Sequence, residues 1–364
     1  MKRRQFMFDI PLSMGALNLA KFGLSAPNES KKLGVALVGL GNYSTRQLAP
    51  ALMQTEHCYL AGIVTGSSEK GGKWSKEYAI PKENIYNYQN FDTIYNNPAI
   101  DIAYVVLPNS MHAEFTVRAA KAGKHVICEK PMAMNVKEAE SMIKACSEAK
   151  VKLGVGYRLY HEPHHLEMRR LGSEKIYGKV KAIESSLGYA MADPQSWRLN
   201  KEMGGGGAIM DLGVYAIQGV RRTLNELPTH ITAQGFVSNK NIFKNIYEMM
   251  SFQMTFPSGA VSNSWTTYSS FSDRLYATTE SDWFELRPSF TAMGAKGNSS
   301  KGKIDFASPK FQQIKQLDAF AQSILNDTKP IASGEEGLID VKIIEFIKRS
   351  ADTGKPIKIA PDFF

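Results

Sequence analysis

Gly34-Val35-Ala36-Leu37-Val38-Gly39-Leu40-Gly41-Asn42-Tyr43-Ser44 sets an apolar run directly against a glycine-rich turn. A run of this length ending in Gly-x-Gly predicts a buried strand that feeds a helix through a tight turn. Gly39 permits the turn and Gly41 lets the backbone approach a pyrophosphate. The start of the following helix supplies free N–H groups and partial positive charge. Ser44 stands where a third glycine or alanine is expected and still allows close packing. Alone the motif is weak, because a chance β-turn would also account for it. Its place at the head of a strand–helix alternation makes Gly39, Gly41, Asn42 and Tyr43 candidate cofactor-binding residues.

Working outward, a helix is predicted from about residue 46 to 55 and a strand over 60–64. Apolar runs follow at 102–107, 125–128 and 152–156, separated by helical stretches such as 111–122 and 135–149. Strands that are apolar throughout and separated by helices predict a parallel sheet covered on both faces. Residues 33–153 therefore read as a doubly wound α/β domain of the Rossmann kind. After residue 178 the pattern changes, with strands predicted at 179–189, 229–237, 248–256, 260–268, 274–279 and 282–287. These read as a meander with mostly antiparallel pairing. Helices are expected over 208–224, 312–326 and 334–353, the last stopped by Gly354 before Pro356. Residues 154–356 thus read as an α+β domain with a large, mostly antiparallel sheet, and the Gly/Ser-rich stretch 294–302 as a surface loop. An open sheet with an exposed apolar face is commonly covered by a partner, which predicts a homodimer or homotetramer.

A chain of 364 residues is long enough for two domains of about 150 residues. Its 22% charged residues, 29 glycines and 16 prolines lie near globular averages and exclude a collagen or a disordered chain. The net charge of +9 is spread along the chain, with its densest cluster at Lys2, Arg3 and Arg4, so a nucleic-acid partner is not indicated. Cys58, Cys128 and Cys146 show no CxxC spacing and support neither a disulfide framework nor a zinc site. His161, His164 and His165 fall in a polar stretch with Glu162 and Pro163, where a solvated or substrate-facing role is expected rather than metal binding. Residues 1–26 have a basic start, an apolar middle and small residues near Ser25 and Ala26, the layout of a targeting segment. Arg3-Arg4-Gln5-Phe6-Met7 resembles a twin-arginine export signal, which implies a periplasmic protein. The other reading is a ragged arm on a cytoplasmic protein, since Asp9, Pro11, Asn18 and Lys21 interrupt the apolar stretch. No other stretch approaches the 18 or so apolar residues of a membrane span.

The second strand ends Val64-Thr65-Gly66-Ser67, without the acid that commonly holds an NAD ribose. Hydroxyls, glycine and Lys70 suit a 2′-phosphate, so NADP is expected over NAD. Glu69 is the counter-indication, and it also reads as an acid in a helix first turn. Leu107, Pro108, Asn109 and His112 follow one buried strand, and Glu129-Lys130-Pro131 the next. Both segments lie at the carboxyl edge of the sheet, where ligands bind. Proline restricts the backbone of Lys130, so its ammonium can be fixed near a reacting carbon.

These stretches, taken in order, resemble the Gfo/Idh/MocA oxidoreductase family, and within it the glucose-fructose oxidoreductase type. The resemblance covers residues 33 to about 356 and rests on VGLGNY at 38–43, LPNSMHAEF at 107–115, AGKHVICEKPMA at 122–133, GYR at 156–158, SWRLNKEMGGGGAIMDLGVYAI at 196–217 and GEEGLIDV at 334–341. It implies Lys130, Asp211 and Tyr215 as catalytic residues, with Tyr215 as general acid/base. Asp211 and Tyr215 are spaced i, i+4, which places them on one face of a continuous helix. The phenol loses its proton near pH 10, and a nearby ammonium would favour phenolate. Arg158, Trp197 and Arg198 are implied to border the cofactor, and Gly204–Gly207 to turn the chain into the helix carrying Asp211. The implied activity is hydride transfer between a sugar or polyol carbon and NADP, one form of it passing the hydride from sugar to sugar, with no metal. Two rival classes remain: an NAD-using glycosidase of the same fold, and a noncatalytic dinucleotide-binding protein.

Overall fold

The computed structural model describes residues 32–364 apart from residues 293, 308, 361 and 362. The targeting segment read at residues 1–26 lies outside the described residues. Strands β1 (Leu33–Val38), β2 (Cys58–Val64), β3 (Ile85–Tyr86), β4 (Ile102–Val105), β5 (His125–Cys128) and β6 (Leu153–Val155) form an all-parallel sheet in the order β3-β2-β1-β4-β5-β6. Burial of every residue of β1 and β4 explains their unbroken apolar runs. The chain order reverses between β1 and β4, and the crevice outside their carboxyl ends is where such sheets take ligands.

One face of this sheet is covered in part by a helix from far along the chain. Leu317, Phe320 and Ala321 of the helix Gln313–Leu325 pack with Leu33, Leu37, Tyr104 and Ile127. Asp318 of the same helix accepts from the backbone N–H groups of Glu56 and His57 at 3.0 and 2.8 Å. The opposite face shares a continuous core with the second sheet, joining Ala36, Val105 and Val126 to Ile183, Ile231 and Leu275. The packing of the first sheet is thus completed by a helix from beyond residue 153.

The second sheet holds β7 (Ala182–Gly188), β8 (His230–Phe236), β9 (Met249–Thr255), β10 (Val261–Thr267), β11 (Ser272–Thr278), β12 (Trp283–Leu286), β13 (Gly297–Ser299), β14 (Gly302–Ile304) and β15 (Ile357–Lys358). Their order is β14-β13-β12-β11-β7-β10-β9-β8-β15. Pairing is mostly antiparallel, but this is not a simple meander. β7 lies between β10 and β11 and runs parallel to β10, with Thr267 opposite Gly188. Residues 294–302, expected as a loop, instead contribute to the hairpin β13–β14 at the sheet edge. The alternating burial of β11 shows one covered face, and the helices Gly213–Leu224 and Gly334–Thr353 lie against it. The other face is not the apolar surface expected. It carries Arg274 paired with Glu184 and Glu285, each at 2.9 Å, and Gln253 bonded to Asn263, among half-buried Trp265 and Tyr276.

Candidate active site

The glycine turn forms as its composition demands. Gly39 has φ +101°, and a Cβ there would stand 2.4 Å from the carbonyl oxygen of Val106, so only glycine fits. A Cβ on Gly41 would meet no protein atom within 4 Å, which leaves open space beside the backbone for a ligand. Buried Ser44 donates its hydroxyl to the Gly39 carbonyl at 2.6 Å and ties the helix start to the turn. The helix expected over 46–55 opens earlier, as a π-turn Ser44–Leu48 continuing into Ala49–Leu52. At the end of β2, Ser67 caps the helix Ser68–Tyr78 by accepting from the Lys70 N–H at 3.2 Å.

A cavity of about 540 Å³ opens at the carboxyl edge of the first sheet. The first turn contributes Gly39, Gly41, Asn42 and Tyr43, and the second Thr65, Gly66, Ser67 and Lys70. The β4 loop contributes Leu107, Pro108, Asn109 and His112, and the β5 loop Glu129 and Lys130. Trp197, Arg198, Asp211 and Tyr215 close it from the later part of the chain. Glu69 does not line it, whereas Tyr88, which no sequence signal marked, does.

Several lining residues use their polar atoms to brace loops. The amide of Asn109 donates to the carbonyl of Gly204 at 2.9 Å, joining the β4 loop to the glycine run. The ring nitrogens of buried His112 lie 2.8 Å from the Pro131 carbonyl and 2.9 Å from that of Leu107, linking the β4 and β5 loops. Burial pushes the Glu129 carboxyl up, and its Oε1 accepts from the Tyr104 hydroxyl at 2.6 Å. That hydroxyl accepts in turn from Gln316 at 2.6 Å, while Gln313 donates to the Tyr43 hydroxyl at 3.0 Å.

The charged centre is built around Asp211. Lys130 Nζ donates to its Oδ1 and to its backbone carbonyl, each at 2.9 Å. Oδ2 accepts from Arg198 Nε at 3.1 Å, the Tyr268 hydroxyl at 3.1 Å and the Tyr189 hydroxyl at 3.3 Å. Burial alone would raise this carboxyl, but Lys130 and Arg198 outweigh it and hold Asp211 well below the usual carboxylate range. Burial likewise opposes the Lys130 charge, and Asp211 with Tyr215 reverses that and raises the ammonium above its ordinary value. Lys130 Nζ sits 4.7 Å from the centre of the Tyr215 ring, and the Arg158 guanidinium carbon 5.3 Å from it.

Three expectations are corrected. Asp211 and Tyr215 do not share one continuous helix: the segment Ala208–Asp211 ends before Leu212, and a new helix, Gly213–Leu224, begins. Gly205, Gly206 and Gly207, with φ +85°, +144° and +79°, set up this entry, and a Cβ on Gly207 would meet the Tyr247 carbonyl at 2.4 Å. Arg158 does not line the cavity; its buried guanidinium donates to the carbonyls of Phe290 and Thr291 and to Gln312. His164 and His165 are neither solvated nor facing the cavity. They are buried in the helix Pro163–Ser173, His164 against Glu162 at 2.8 Å and His165 against the Ser289 carbonyl at 3.0 Å. Among the described residues no group of three or more His, Cys, Asp or Glu side chains stands where it could hold a metal.

Tyr189 and Tyr268 were not singled out by sequence. Each directly follows one strand of the parallel pair β7–β10, so both emerge at the same end, their ring centres 5.5 Å apart. No local sequence signal marks them, because the pairing that brings them together joins strands far apart in the chain.

Comparison with known proteins follows the same outline. The family model described as "Oxidoreductase family, NAD-binding Rossmann fold" matches residues 33–157, and the "GFO/IDH/MocA C-terminal domain" matches 165–299. The crystal structure of an aldose-aldose oxidoreductase from Caulobacter crescentus, complexed with glycerol, is 37% identical with a TM-score of 0.88, covering 90% of this chain and 100% of its own. D-xylose 1-dehydrogenase (NADP(+)) of Haloarcula marismortui is 26% identical over 335 residues, 89% of this chain and 92% of its own. The 1,5-anhydro-D-fructose reductase of Ensifer adhaerens is 33% identical over 175 residues, 48% of this chain and 51% of its own.

Proposed function

The chain belongs to the Gfo/Idh/MocA family and is an NAD(P)-dependent oxidoreductase, and on that premise we propose that it oxidises and reduces sugars with NADP, passing the hydride from one sugar to another on a retained cofactor. The observation that carries the reading is one cavity holding the glycine turn, the Lys130–Asp211 pair and Tyr215. Likeness to the aldose-aldose oxidoreductase supports the sugar-to-sugar form.

The open space at Gly41 fits a dinucleotide phosphate against the turn Gly39–Tyr43. Thr65, Ser67 and Lys70, with no acid in the cavity wall at that end, favour a 2′-phosphate. Trp197 and Arg198, whose guanidinium carbon lies 4.5 Å from the indole centre, close the opposite side. Bound NADP supplies the hydride acceptor at C4 of its nicotinamide. Tyr215, in its phenolate form, takes the proton from the sugar hydroxyl at its phenolic oxygen and returns it in the reverse step. Lys130 holds a fixed positive charge where alkoxide character develops. Asp211, ionised and saturated with donors, orients Lys130 rather than acting as a base.

No helix among the described residues is long and apolar enough to cross a membrane. Export by the twin-arginine route and assembly into a homodimer or homotetramer complete the proposal. The deciding experiment mixes native protein with aldoses, ketoses and p-nitrophenyl glycosides while following bound-cofactor absorbance. Reduction by an aldose and recovery with a second sugar supports the reading, as does NADP(H) released on denaturation. Nitrophenol release would replace it with the glycosidase reading, and no spectral response with the noncatalytic one.

A further inference from the structure

A second cavity, of about 790 Å³, lies at the C-terminal end of the helix Gly213–Leu224 and shares no lining residue with the nicotinamide cavity. Arg169, Arg221 and Arg222 line it against two acids, Glu226 and Glu336. Glu336 Oε2 already accepts from the Tyr160 hydroxyl at 2.7 Å and from Arg221 at 3.3 Å. Arg221 also faces Asp340 at 3.4 Å, and Glu226 accepts from the Ser258 N–H at 3.0 Å. Among the described residues these carboxylates face Arg221 or a backbone N–H, so Arg169 and Arg222 are left without an ion-pair partner.

Arg222 is the more enclosed of the two. Its guanidinium carbon lies 3.5 Å from the centre of the Tyr160 ring, Nη1 is buried with no hydrogen-bond partner, and no carboxylate stands at ion-pair distance among the described residues. Burial pushes this guanidine down to about 10, and Tyr160 and Glu336 offset it only in part. In this half-buried side chain a buried Nη1 without an acceptor is costly, and an anionic group supplied from outside would remove the deficit. Exposed Arg169, which among the described residues donates to Asn225 at 3.4 Å and meets no carboxylate at ion-pair distance, is the second cation of the wall. The rest of the wall is largely apolar, with Leu227, Pro228, Pro257, Ile331 and Ile339.

We propose that this cavity binds a small organic anion, its carboxylate or phosphate seated on Arg222 and Arg169 and its apolar body on the opposing wall. The site is independent of the reading given to the nicotinamide cavity. Calorimetric titration of the full protein in excess NADP, which occupies the phosphate-binding turn, tests it with phenyl phosphate, benzoate and uncharged benzyl alcohol. The expected result is saturable 1:1 binding of phenyl phosphate or benzoate, at least tenfold weaker in Arg222→Gln, with none for benzyl alcohol. The tighter of the two anions identifies the head group. Should Arg222→Gln fail to fold, Arg169→Gln, at an exposed position, is expected to weaken binding at least threefold. Absence of saturable binding by the unaltered protein, or unchanged affinity in a folded variant, overturns the proposal.

Discussion

Replacing Lys130 by methionine keeps the length of the side chain and removes its charge. At an alkoxide about 4 Å away, a unit charge at an effective dielectric of about 20 contributes about 4 kcal/mol. Asp211, 2.9 Å from the ammonium, partly neutralises it, which lowers the useful share to about 2 kcal/mol or more. Lys130→Met should therefore reduce kcat/KM by about 30-fold to 1,000-fold. Stability should change less. Asp211 Oδ1 loses its donor while Oδ2 keeps Arg198, Tyr189 and Tyr268, and the fold no longer desolvates an ammonium. The net loss is about 1–3 kcal/mol. Single-turnover hydride transfer, followed by nicotinamide absorbance, measures the first quantity, and urea unfolding the second. The cofactor dissociation constant is the control, expected within about threefold of the unaltered protein because the phosphate-binding turn is untouched. Turnover reduced less than about tenfold would refute the charge argument, as would a loss explained wholly by weaker cofactor binding.

Tyr215→Phe keeps the ring beside Lys130 and removes the proton-carrying oxygen, so kcat should fall by about 10²- to 10⁴-fold with an unchanged unfolding midpoint. Gly39→Ala forces a Cβ against the Val106 carbonyl in a left-handed conformation; a loss of about 2 kcal/mol or more in urea unfolding is expected, with at least tenfold weaker NADP binding by fluorescence titration. Burial pushes His165 and His161 down to about 4, whereas an unfolded imidazole titrates near 6.5. The unfolded chain therefore takes up protons first on acidification, so stability should be level above pH 7 and decline between about pH 6.5 and 4. Each of the two residues contributes up to about 3 kcal/mol. Urea midpoints across that range measure the decline, and His165→Gln should flatten it.

The first sheet and its ligand edge were legible because they are written locally. Continuous apolar runs mark β1, β4 and β5, and Gly39, Lys130 and the stop at Gly354 each act within a few residues. What stayed hidden depends on distant pairing. Nothing near β7 says that it will insert between β10 and β11, and Tyr189 and Tyr268 meet only because it does. The break at Leu212 is invisible in a sequence whose apolar spacing continues through it. The helix Pro163–Ser173 did carry a start signal, proline at its first position, but the histidines made it read as polar chain. β13 and β14 are three residues each, built around Gly297 and Gly302, too short and too small for a period-2 pattern to register.

The returning helix Gln313–Leu325 bears on the order of events at the ribosome. All six strands of the dinucleotide sheet have been translated by residue 155, yet Leu317, Phe320 and Ala321 have still to arrive over Leu37, Tyr104 and Ile127. Gln313 and Gln316, the partners of Tyr43 and Tyr104, arrive with them. At roughly 5–20 residues per second, the nascent sheet keeps part of one oily flank bare for roughly 10–30 s. A chain released before that helix emerges would be a natural client for chaperones, however complete its nucleotide motif looked on paper.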